Sequence, residues 1–291
     1  MLIFSKNHNL IQEYSMHKSI RIYDYDSSVG HIKLNDPYYY VILLKHVKSI
    51  SINLVAYKTA DFTVLFLTPY QLLTIELQAN SMVKVLQFHA DFYCIEYHKK
   101  EVACNGVLFN NIFERPLIDT SPNFIAETYV LFEHIQSIQV EKESYNLSIM
   151  KAYLQLILAL SNKEMLLQRQ DYAPKSSIVL ADLRNVINAN FIEQRSVQFY
   201  ADYYKMNLNS FSKRVKLEYG KSPLVLIQER LILEAKKLLH LTYKSIKEIA
   251  FILAFEDVFY FSRFFKKHVG VSPKRFREEV GIAEIAEKSI D

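Results

Sequence analysis

The sequence has few residues that form disulfide bonds or adopt unusual backbone conformations. The 291 residues include two cysteines, five glycines and no tryptophan. Two cysteines are too few for a disulfide framework, so we expect a reducing compartment, the cytoplasm. The N-terminus lacks the residue order of a signal peptide, and apolar runs such as 41–44 and 156–160 are too short to cross a bilayer. These absences argue against disulfide-rich secreted proteins and against membrane-spanning ones.

Half of the residues are hydrophobic, which predicts a folded, globular chain. Its charge is unevenly distributed, although the net value is only +4. Residues 1–177 contain 16 Lys and Arg against 17 Asp and Glu, whereas residues 178–280 contain 18 against 11. Basic charge concentrated in one segment is typical of a domain that binds a polyanion, although alone it also fits a solvated helical surface.

The region from residue 20 to about 113 is predicted to form short β-strands, because hydrophobic and aromatic runs alternate there with turn residues. Their close spacing favours a barrel or a two-sheet sandwich. Two helices follow, at 124–140 and 145–167. The second is apolar on more than one side, so we expect it to pack on the barrel and on a second subunit. The predicted strands are 41–44, 50–57, 62–67, 72–77, 82–88 and 107–109.

Two segments near the C-terminus, 201–223 and 251–273, are versions of one pattern separated by 50 positions. Each predicts a short helix, a tight turn and a second helix rich in Lys and Arg, which is the order of a helix-turn-helix unit. Two such units predict a protein that contacts DNA twice. The matching residues are Phe211, Ser212, Lys213, Val215, Lys216, Gly220, Ser222 and Pro223 with Phe261, Ser262, Arg263, Phe265, Lys266, Gly270, Ser272 and Pro273.

Residues that begin and end helices occupy corresponding places in the two units. Serine is the predicted N-cap of each first helix, and a Ser-Pro pair begins the helix after each unit. Glycine follows each basic helix, where a left-handed residue is favoured. In the second unit a glutamate completes a capping box. The residues concerned are Ser196, Ser245, Glu248, Ser222, Pro223, Ser272, Pro273, Gly220 and Gly270.

The basic helix of each unit is predicted to turn one face inward and the other towards DNA. In the second unit Asp257 caps this helix, and Phe261, Phe264 and Phe265 lie on the packing face. On the opposite face Arg can bond guanine, Asn can bond adenine, Ser is short and adaptable, and Lys suits phosphates. Phe259 fits either a contact with a thymine methyl group or packing inside the protein. The predicted DNA-binding residues are Asn209, Ser212, Lys213, Lys216, Phe259, Ser262, Arg263 and Lys266.

The segment between the units predicts a connecting helix at 224–239. Sixteen residues of helix extend roughly 24 Å, at about 1.5 Å per residue. With its flanking turns, this helix could hold the two reading helices about 34 Å apart, which is one turn of duplex DNA. One chain could then read two successive major-groove segments.

Residues 178–280 resemble the AraC/XylS family of bacterial transcription regulators. The family usually has glycine in the turn where this chain has Ala254, which implies a turn that tolerates a Cβ atom or is slightly reshaped. The resemblance implies an activator that binds double-stranded promoter DNA and contacts RNA polymerase. The matching segments are 227–230 (IQER), 234–239 (EAKKLL), 245–250 (SIKEIA), 255–257 (FED) and 260–277 (YFSRFFKKHVGVSPKRFR).

Residues 20–165 resemble, more loosely, the cupin-like effector or dimerisation domain of that family, through segments 66–71 (FLTPYQ) and 104–111 (CNGVLFNN). A pocket inside such a barrel could hold a small-molecule effector. Because its strands are rich in Tyr and Phe and nearly neutral, we expect a neutral or weakly charged organic compound. The predicted organisation is a cupin-like β-barrel followed by two helices at 1–167, a linker at 168–177, an all-α domain with two helix-turn-helix units joined by a connecting helix at 178–280, and an acidic tail at 281–291.

Other readings of individual residues compete with these predictions. Cys104 fits a sensing thiol or, more simply, a structural cysteine in a turn. His89 and His98 could belong to a cupin-like metal site, but the His-x-His pair and accompanying Glu of such sites are missing, so we expect no metal or cofactor. Two rival functions remain at this point. They are a cupin-type metal-dependent enzyme with a DNA-binding tail, and an architectural DNA binder without sequence preference.

Overall fold

The computed structural model describes residues 20–95, 108–109, 111–140, 145–171, 180–283 and 286. An N-terminal domain of β-sheets and two helices is followed by a C-terminal helical domain. The strands are β1 (Ile20–Asp26), β2 (His31–Leu34), β3 (Tyr39–Lys45), β4 (Ser49–Ile52), β5 (Val55–Tyr57), β6 (Phe62–Leu67), β7 (Leu73–Glu76), β8 (Met82–Phe88) and β9 (Leu117–Asp119).

The strands form two antiparallel sheets. Five are hydrogen-bonded in the order β1-β8-β3-β6-β9, and four in the order β2-β7-β4-β5. Side chains such as Ile42 and Leu65 fill the space between the sheets. Val41 and Phe66, on the opposite face of the larger sheet, pack towards the helices. Since the central strands are covered on both faces, their sequences are continuous apolar runs and do not alternate with polar residues.

The predicted cupin-like β-barrel is not closed, because among the described residues no ladder joins the two sheets, and the alternative of two sheets fits this arrangement. The strand expected at 50–57 is divided by Asn53 and Leu54, whose φ angles of 49° and 68° turn the chain. Leu108 and Phe109, expected in a strand, lie in a bend with both side chains buried. The patterns used for prediction also missed the strands at 20–26, 31–34 and 117–119.

The described residues form nine α-helices. Within the described ranges none has the length and hydropathy needed to cross a membrane. They are α1 (Pro122–Val140), α2 (Asn146–Asp171), α3 (Leu183–Asn190), α4 (Val197–Tyr203), α5 (Leu208–Tyr219), α6 (Pro223–Leu241), α7 (Ile246–Ile252), α8 (Val258–Val269) and α9 (Pro273–Val280).

Two predicted boundaries are corrected by these helices. Helix α2 continues to Asp171, so the first residues of the predicted linker are helical, and 172–177 lie outside the described residues. The predicted acidic tail begins inside the fold, because the Ala283 N–H donates to the His240 carbonyl at 2.8 Å and Ala283 is buried. The remaining domain boundaries stay predictions.

One apolar core extends from the outer face of the five-stranded sheet through α1 and α2 into the C-terminal helices. Aromatic pairs connect the two domains directly. Tyr70 contacts Phe276 of α9 with ring centroids 5.7 Å apart, and Phe113 contacts Tyr219 of α5 at 6.0 Å. The domains therefore share buried apolar surface as well as a chain connection.

Candidate nucleic-acid interface

The first helix-turn-helix unit consists of α4 and α5. The Ser196 hydroxyl accepts the N–H of Gln198 and begins α4, and the Asn207 side chain accepts the N–H of Ser210 at 2.8 Å and begins α5. After α5, Gly220 adopts the left-handed conformation with φ of 71°. The predicted serine cap and C-terminal glycine of this unit are confirmed.

The second unit consists of α7 and α8. Ser245 and Glu248 form the predicted capping box, each side chain accepting the other residue's backbone N–H. Both carboxylate oxygens of Asp257 accept backbone N–H groups in the first turn of α8. Gly270 ends α8 with φ of 90°. Ser222 and Ser272 cap α6 and α9, with proline in the first turn of each helix, as predicted.

The turns of the two units differ in length by one residue. Helices α4 and α7 begin 49 positions apart, whereas α5 and α8 begin 50 apart, and Glu256 accounts for the difference. The expected offset of 50 therefore holds for the second helices and is wrong for the first ones. Lys205 and Ala254 occupy the same left-handed place in the two turns, with φ of 52° and 53°. Ala254 is exposed, so its Cβ atom is accommodated without a clash.

In both units the second helix buries one face and exposes the opposite one, and α8 also buries Val269 near its end. Phe211 and Val215 of α5, and Phe261 and Phe265 of α8, are completely buried. Of the predicted DNA-binding residues, Ser212 and Ser262 are half-buried. The exposed ones are Asn209, Lys213, Lys216, Phe259, Arg263 and Lys266.

Phe259 is 72 % exposed, so the reading that it packs inside the protein is wrong. The exposed face of α8 thus combines a guanidinium, an ammonium and an aromatic ring, and that of α5 combines two ammonium groups and an amide. Such groups can bond base edges and phosphates and can contact a thymine methyl group. The faces are chemically suited to a nucleic-acid groove.

Comparison with known proteins agrees with this geometry. A helix-turn-helix domain family model matches residues 200–279. The transcriptional activator AggR of Escherichia coli is 31% identical over 94 residues, which are 32% of this chain and 35% of AggR. Residues 200–279 thus form a helix-turn-helix domain of the AraC type. An uncharacterized HTH-type regulator of Escherichia coli K12, YdiP, is 26% identical over 128 residues, or 44% of this chain and 42% of YdiP.

The chain thus spans less than half the length of these two relatives. Among solved structures, ToxT from Vibrio cholerae is 16% identical to this chain and has a TM-score of 0.40. That alignment covers 90% of this chain and 98% of ToxT.

Three residues on or next to the helix-turn-helix units were missed by the sequence analysis. Tyr260 of α8 is 55 % exposed and Leu217 of α5 is 87 % exposed, so both extend the exposed faces. Each directly follows a predicted DNA-binding residue in the sequence, Phe259 or Lys216, which is a signal that could have found them. The third is Arg195, which contacts the turn of the second unit although it precedes the first unit. No local sequence pattern indicates a contact between residues this far apart.

A cavity of about 380 Å³ lies where the N-terminal sheets meet α6 and the end of α8. It is outside the space between the sheets, where the sequence analysis had placed an effector pocket. Lys236 of α6 donates to the Pro69 carbonyl at 2.8 Å beside this cavity, and burial lowers the pKa of its ammonium group to about 7. Burial also raises the pKa of Glu229, despite its ion pair with Lys221 at 2.7 Å.

Tyr70 is one of the residues that line the same cavity. The side chain is 5 % exposed, and its oxygen has no hydrogen-bond partner among the described residues. An unpartnered buried hydroxyl is energetically unfavourable, at a cost of roughly 1–3 kcal/mol. A polar atom of a bound molecule could satisfy it.

Of the two histidines considered for a metal site, His89 lies in the part of the chain that is described and His98 does not. Within that part, no group of three or more His, Cys, Asp and Glu side chains could hold a metal ion. The His89 Nε2 atom lies 2.8 Å from the Glu279 carbonyl oxygen, at the boundary between the domains. His98 and Cys104 lie outside the described residues.

Proposed function

We propose that the protein is a sequence-specific DNA-binding transcriptional regulator that reads two successive major-groove segments. The observation that carries this proposal is the pair of helix-turn-helix units, each with an exposed face around a central cation, Lys213 or Arg263. Helix α6 between the units has 19 residues, so it extends roughly 28 Å. With its flanking turns this length is compatible with half-sites about 34–36 Å apart.

Each exposed side chain has a chemical role in this proposal. The Arg263 guanidinium can bond guanine O6 and N7 together, and the Asn209 amide can bond adenine N6 and N7. Lys216 and Lys266 neutralise phosphates, and Ser212 and Ser262 make short adaptable contacts. Phe259 offers an apolar tip to a thymine methyl group.

Selection of binding sites from random duplex DNA by the full chain tests the proposal. We expect a motif of two half-sites whose centres are about one helical turn apart, and binding that weakens steeply with salt. Arg275→Ala is a suitable control for the charge, because Arg275 is exposed on α9 outside both faces. Binding to bulk DNA without any enriched motif would support the architectural alternative, and no binding at low salt would refute DNA recognition.

We propose that the protein activates transcription by contacting RNA polymerase. AggR is named a transcriptional activator, which supports the activating direction. Transcription from a promoter that carries the selected motif should rise when the protein is added to purified polymerase. A fall in transcript level would assign repression.

The cavity beside Lys236 is our candidate effector site. Its volume lies within the range of about 300–1,000 Å³ that small-molecule sites occupy. Its lining mixes apolar side chains with polar and charged ones, including Glu114, Lys221, Glu229, Lys236 and Lys267. We expect a neutral or weakly charged organic ligand that bonds the Tyr70 hydroxyl. A ligand that changes DNA affinity must itself bind with altered affinity when DNA is present, by the same factor.

A thermal-shift screen of the full chain against metabolites tests this site. A compound that binds there should raise the melting temperature of the wild type more than that of Tyr70→Phe, which lacks only the unpartnered hydroxyl. Equal shifts in both proteins would place the compound elsewhere. A compound that stabilises the chain without changing DNA affinity would not be an effector.

Helix α2 supports the proposal of a homodimer. The side chains of Met150, Leu154 and Ile157 are buried against the domain, whereas another stripe is apolar and exposed. At about 100° per residue these exposed positions share one face, opposite the buried one. A symmetric dimer would cover the stripe from both subunits. The exposed stripe consists of Tyr145 directly before α2 and of Ile149, Leu156 and Leu167, with the exposed Lys163 on the same face.

Sedimentation equilibrium of the full chain at micromolar concentration should show a dimer. Leu156→Lys should shift it towards monomer, because it places a charge in the middle of the stripe. Leu54→Lys is the matched control, since Leu54 is 86 % exposed in the turn between β4 and β5. A monomeric wild type would refute the dimer.

A further inference from the structure

Arg195 connects the beginning of the first helix-turn-helix unit to the turn of the second. It lies one residue before Ser196, the cap of α4. Its Nη2 atom donates to the Ala254 carbonyl at 3.0 Å and also to the Leu253 carbonyl. Its guanidinium lies over the Phe255 ring, 4.2 Å from the centroid. The whole turn of the second unit is therefore held by one side chain from outside that unit.

The arrangement follows from the end of α7. The last carbonyl groups of a helix have no partner within the helix, and a side-chain donor can satisfy them. Leu253 and Ala254 provide two such carbonyls in succession, and the left-handed conformation of Ala254 sets their directions. A planar guanidinium has several donors in a fixed fork and stacks on aromatic rings, so it can make all these contacts at once.

Arg195 is also fixed on its own side. Its Nε atom donates to the Ile192 carbonyl at 3.1 Å, in the segment between α3 and α4. Burial lowers the pKa of the guanidinium. The repeat does not account for this residue, because the corresponding position before α7 is the exposed Lys244.

Besides the N-terminal domain, which contacts Tyr219 of the first unit and Phe276 just after the second, the described helical domain connects the units in two ways. One is α6, which runs from the end of the first unit to the start of the second. The other is the Arg195 contact, which joins residues 58 and 59 positions apart. If the units were joined only through α6, they could rotate relative to each other around that helix. The Arg195 contact joins them at a different point and restricts this rotation.

We propose that Arg195 is a positioning residue that fixes the second unit relative to the first and thereby sets the half-site spacing the protein accepts. This inference rests on the proposed reading of DNA by both units. Inserting one base pair between half-sites moves the second one by about 3.4 Å and turns it by about 35° around the DNA axis. A rigid pair of units cannot follow such a change, whereas a pair that pivots around α6 can.

The test compares operators whose two half-sites are separated by the selected spacing, one base pair less, or one base pair more. The wild type should lose at least about tenfold in affinity at either altered spacing. Arg195→Met and Arg195→Lys should lose no more than about threefold. Affinity for an isolated half-site should be the same in all three proteins. Arg195→Lys keeps the positive charge but lacks the fork, so restoration of strict spacing by this variant would mean that charge alone matters and would refute the positioning role.

Arg230→Met is the matched control for lost contacts. Arg230 also lies over a ring, Phe191 at 4.1 Å, and bonds Asn188 and Glu234 at 2.9 Å, but all these partners lie in or next to α3 and in α6. This variant should be less stable and keep the strict spacing of the wild type. Strict spacing in Arg195→Met, or relaxed spacing in Arg230→Met, would refute the inference. A wild type that selects no two-part motif would refute the proposed function itself.

Discussion

The two helix-turn-helix units have the same frame but different exposed faces. Both bury an aromatic and a second apolar side chain of the recognition helix, and both end it at a left-handed glycine. On α5, however, the apolar exposed side chains are Leu208 at the first residue and Leu217 near the C-terminal end, and Leu217 is the more exposed of the two. On α8 the apolar exposed side chains are Phe259 and Tyr260 at the N-terminal end, and Lys267 corresponds to Leu217.

This comparison shows which parts of a duplicated unit are tied to folding. The caps, the glycines and the buried positions are shared because each unit needs them to form its helices. The exposed positions differ because folding does not constrain them. We therefore expect the two half-sites to have different sequences, although the units that read them have the same architecture.

The largest effect is expected from the shared core. Phe211→Ala and Phe261→Ala should each lower the free energy of unfolding by about 3–5 kcal/mol, because each ring is completely buried. The loss of stability should be larger for Phe261→Ala than for Phe211→Ala. The Phe261 ring contacts both Phe255 at 5.2 Å and Phe265 at 6.0 Å, whereas the Phe211 ring contacts Tyr204 at 5.8 Å. Denaturant titration measures this, and a loss under about 1 kcal/mol would contradict the burial.

The central cations of the two faces should differ in selectivity. Arg263→Ala should weaken binding to the selected motif by roughly 1–3 kcal/mol, because a bidentate contact is lost. It should also reduce the preference for one base pair of the motif. Lys213→Ala should reduce the preference for the base pair that it contacts by less than Arg263→Ala does, since an ammonium group lacks the two parallel donors of a guanidinium. Binding to single-base variants of the motif measures both. Equal losses on specific and random DNA would make Arg263 a phosphate contact.

Lys216 and Lys266 should behave alike in the two units. Replacing either by alanine should weaken binding to all sequences similarly and reduce the salt slope by about 1, the contribution of one phosphate contact. Titrations at several salt concentrations measure the slope. Leu217→Lys adds a positive charge instead of removing one, because it gives α5 the lysine that α8 has at Lys267. It should therefore make the salt dependence of binding steeper. An unchanged slope in all three variants would place these side chains away from phosphates.

The smallest effect is expected in the turns. Lys205→Gly and Ala254→Gly should each raise stability by about 0.5–1 kcal/mol, because glycine removes the left-handed strain but increases the freedom of the unfolded chain. Thermal unfolding compares the two. If Ala254→Gly destabilises the protein while Lys205→Gly does not, the longer turn of the second unit depends on the Cβ atom of Ala254.

The features that local chemistry determines could be predicted from the sequence. Caps such as Ser245 and Asp257 and the left-handed Gly270 are specified within a few residues, so both units were located correctly. The division of the strand at Asn53 and Leu54 was missed because neither residue is a typical turn glycine. The open arrangement of the two sheets, the position of the cavity and the contact of Arg195 depend on pairings between distant segments, which local patterns do not encode.

The shared core has a consequence for how the protein unfolds. Tyr70 and Phe113 of the N-terminal domain pack on Phe276 and Tyr219 of the helical domain, so melting either domain exposes surface of the other. The full chain should therefore melt in a single cooperative transition, with equal calorimetric and van't Hoff enthalpies. A fragment of residues 178–280 should melt at a lower temperature and show two newly exposed aromatic rings. Heat that disrupts the sheets should then also disrupt the helix-turn-helix units.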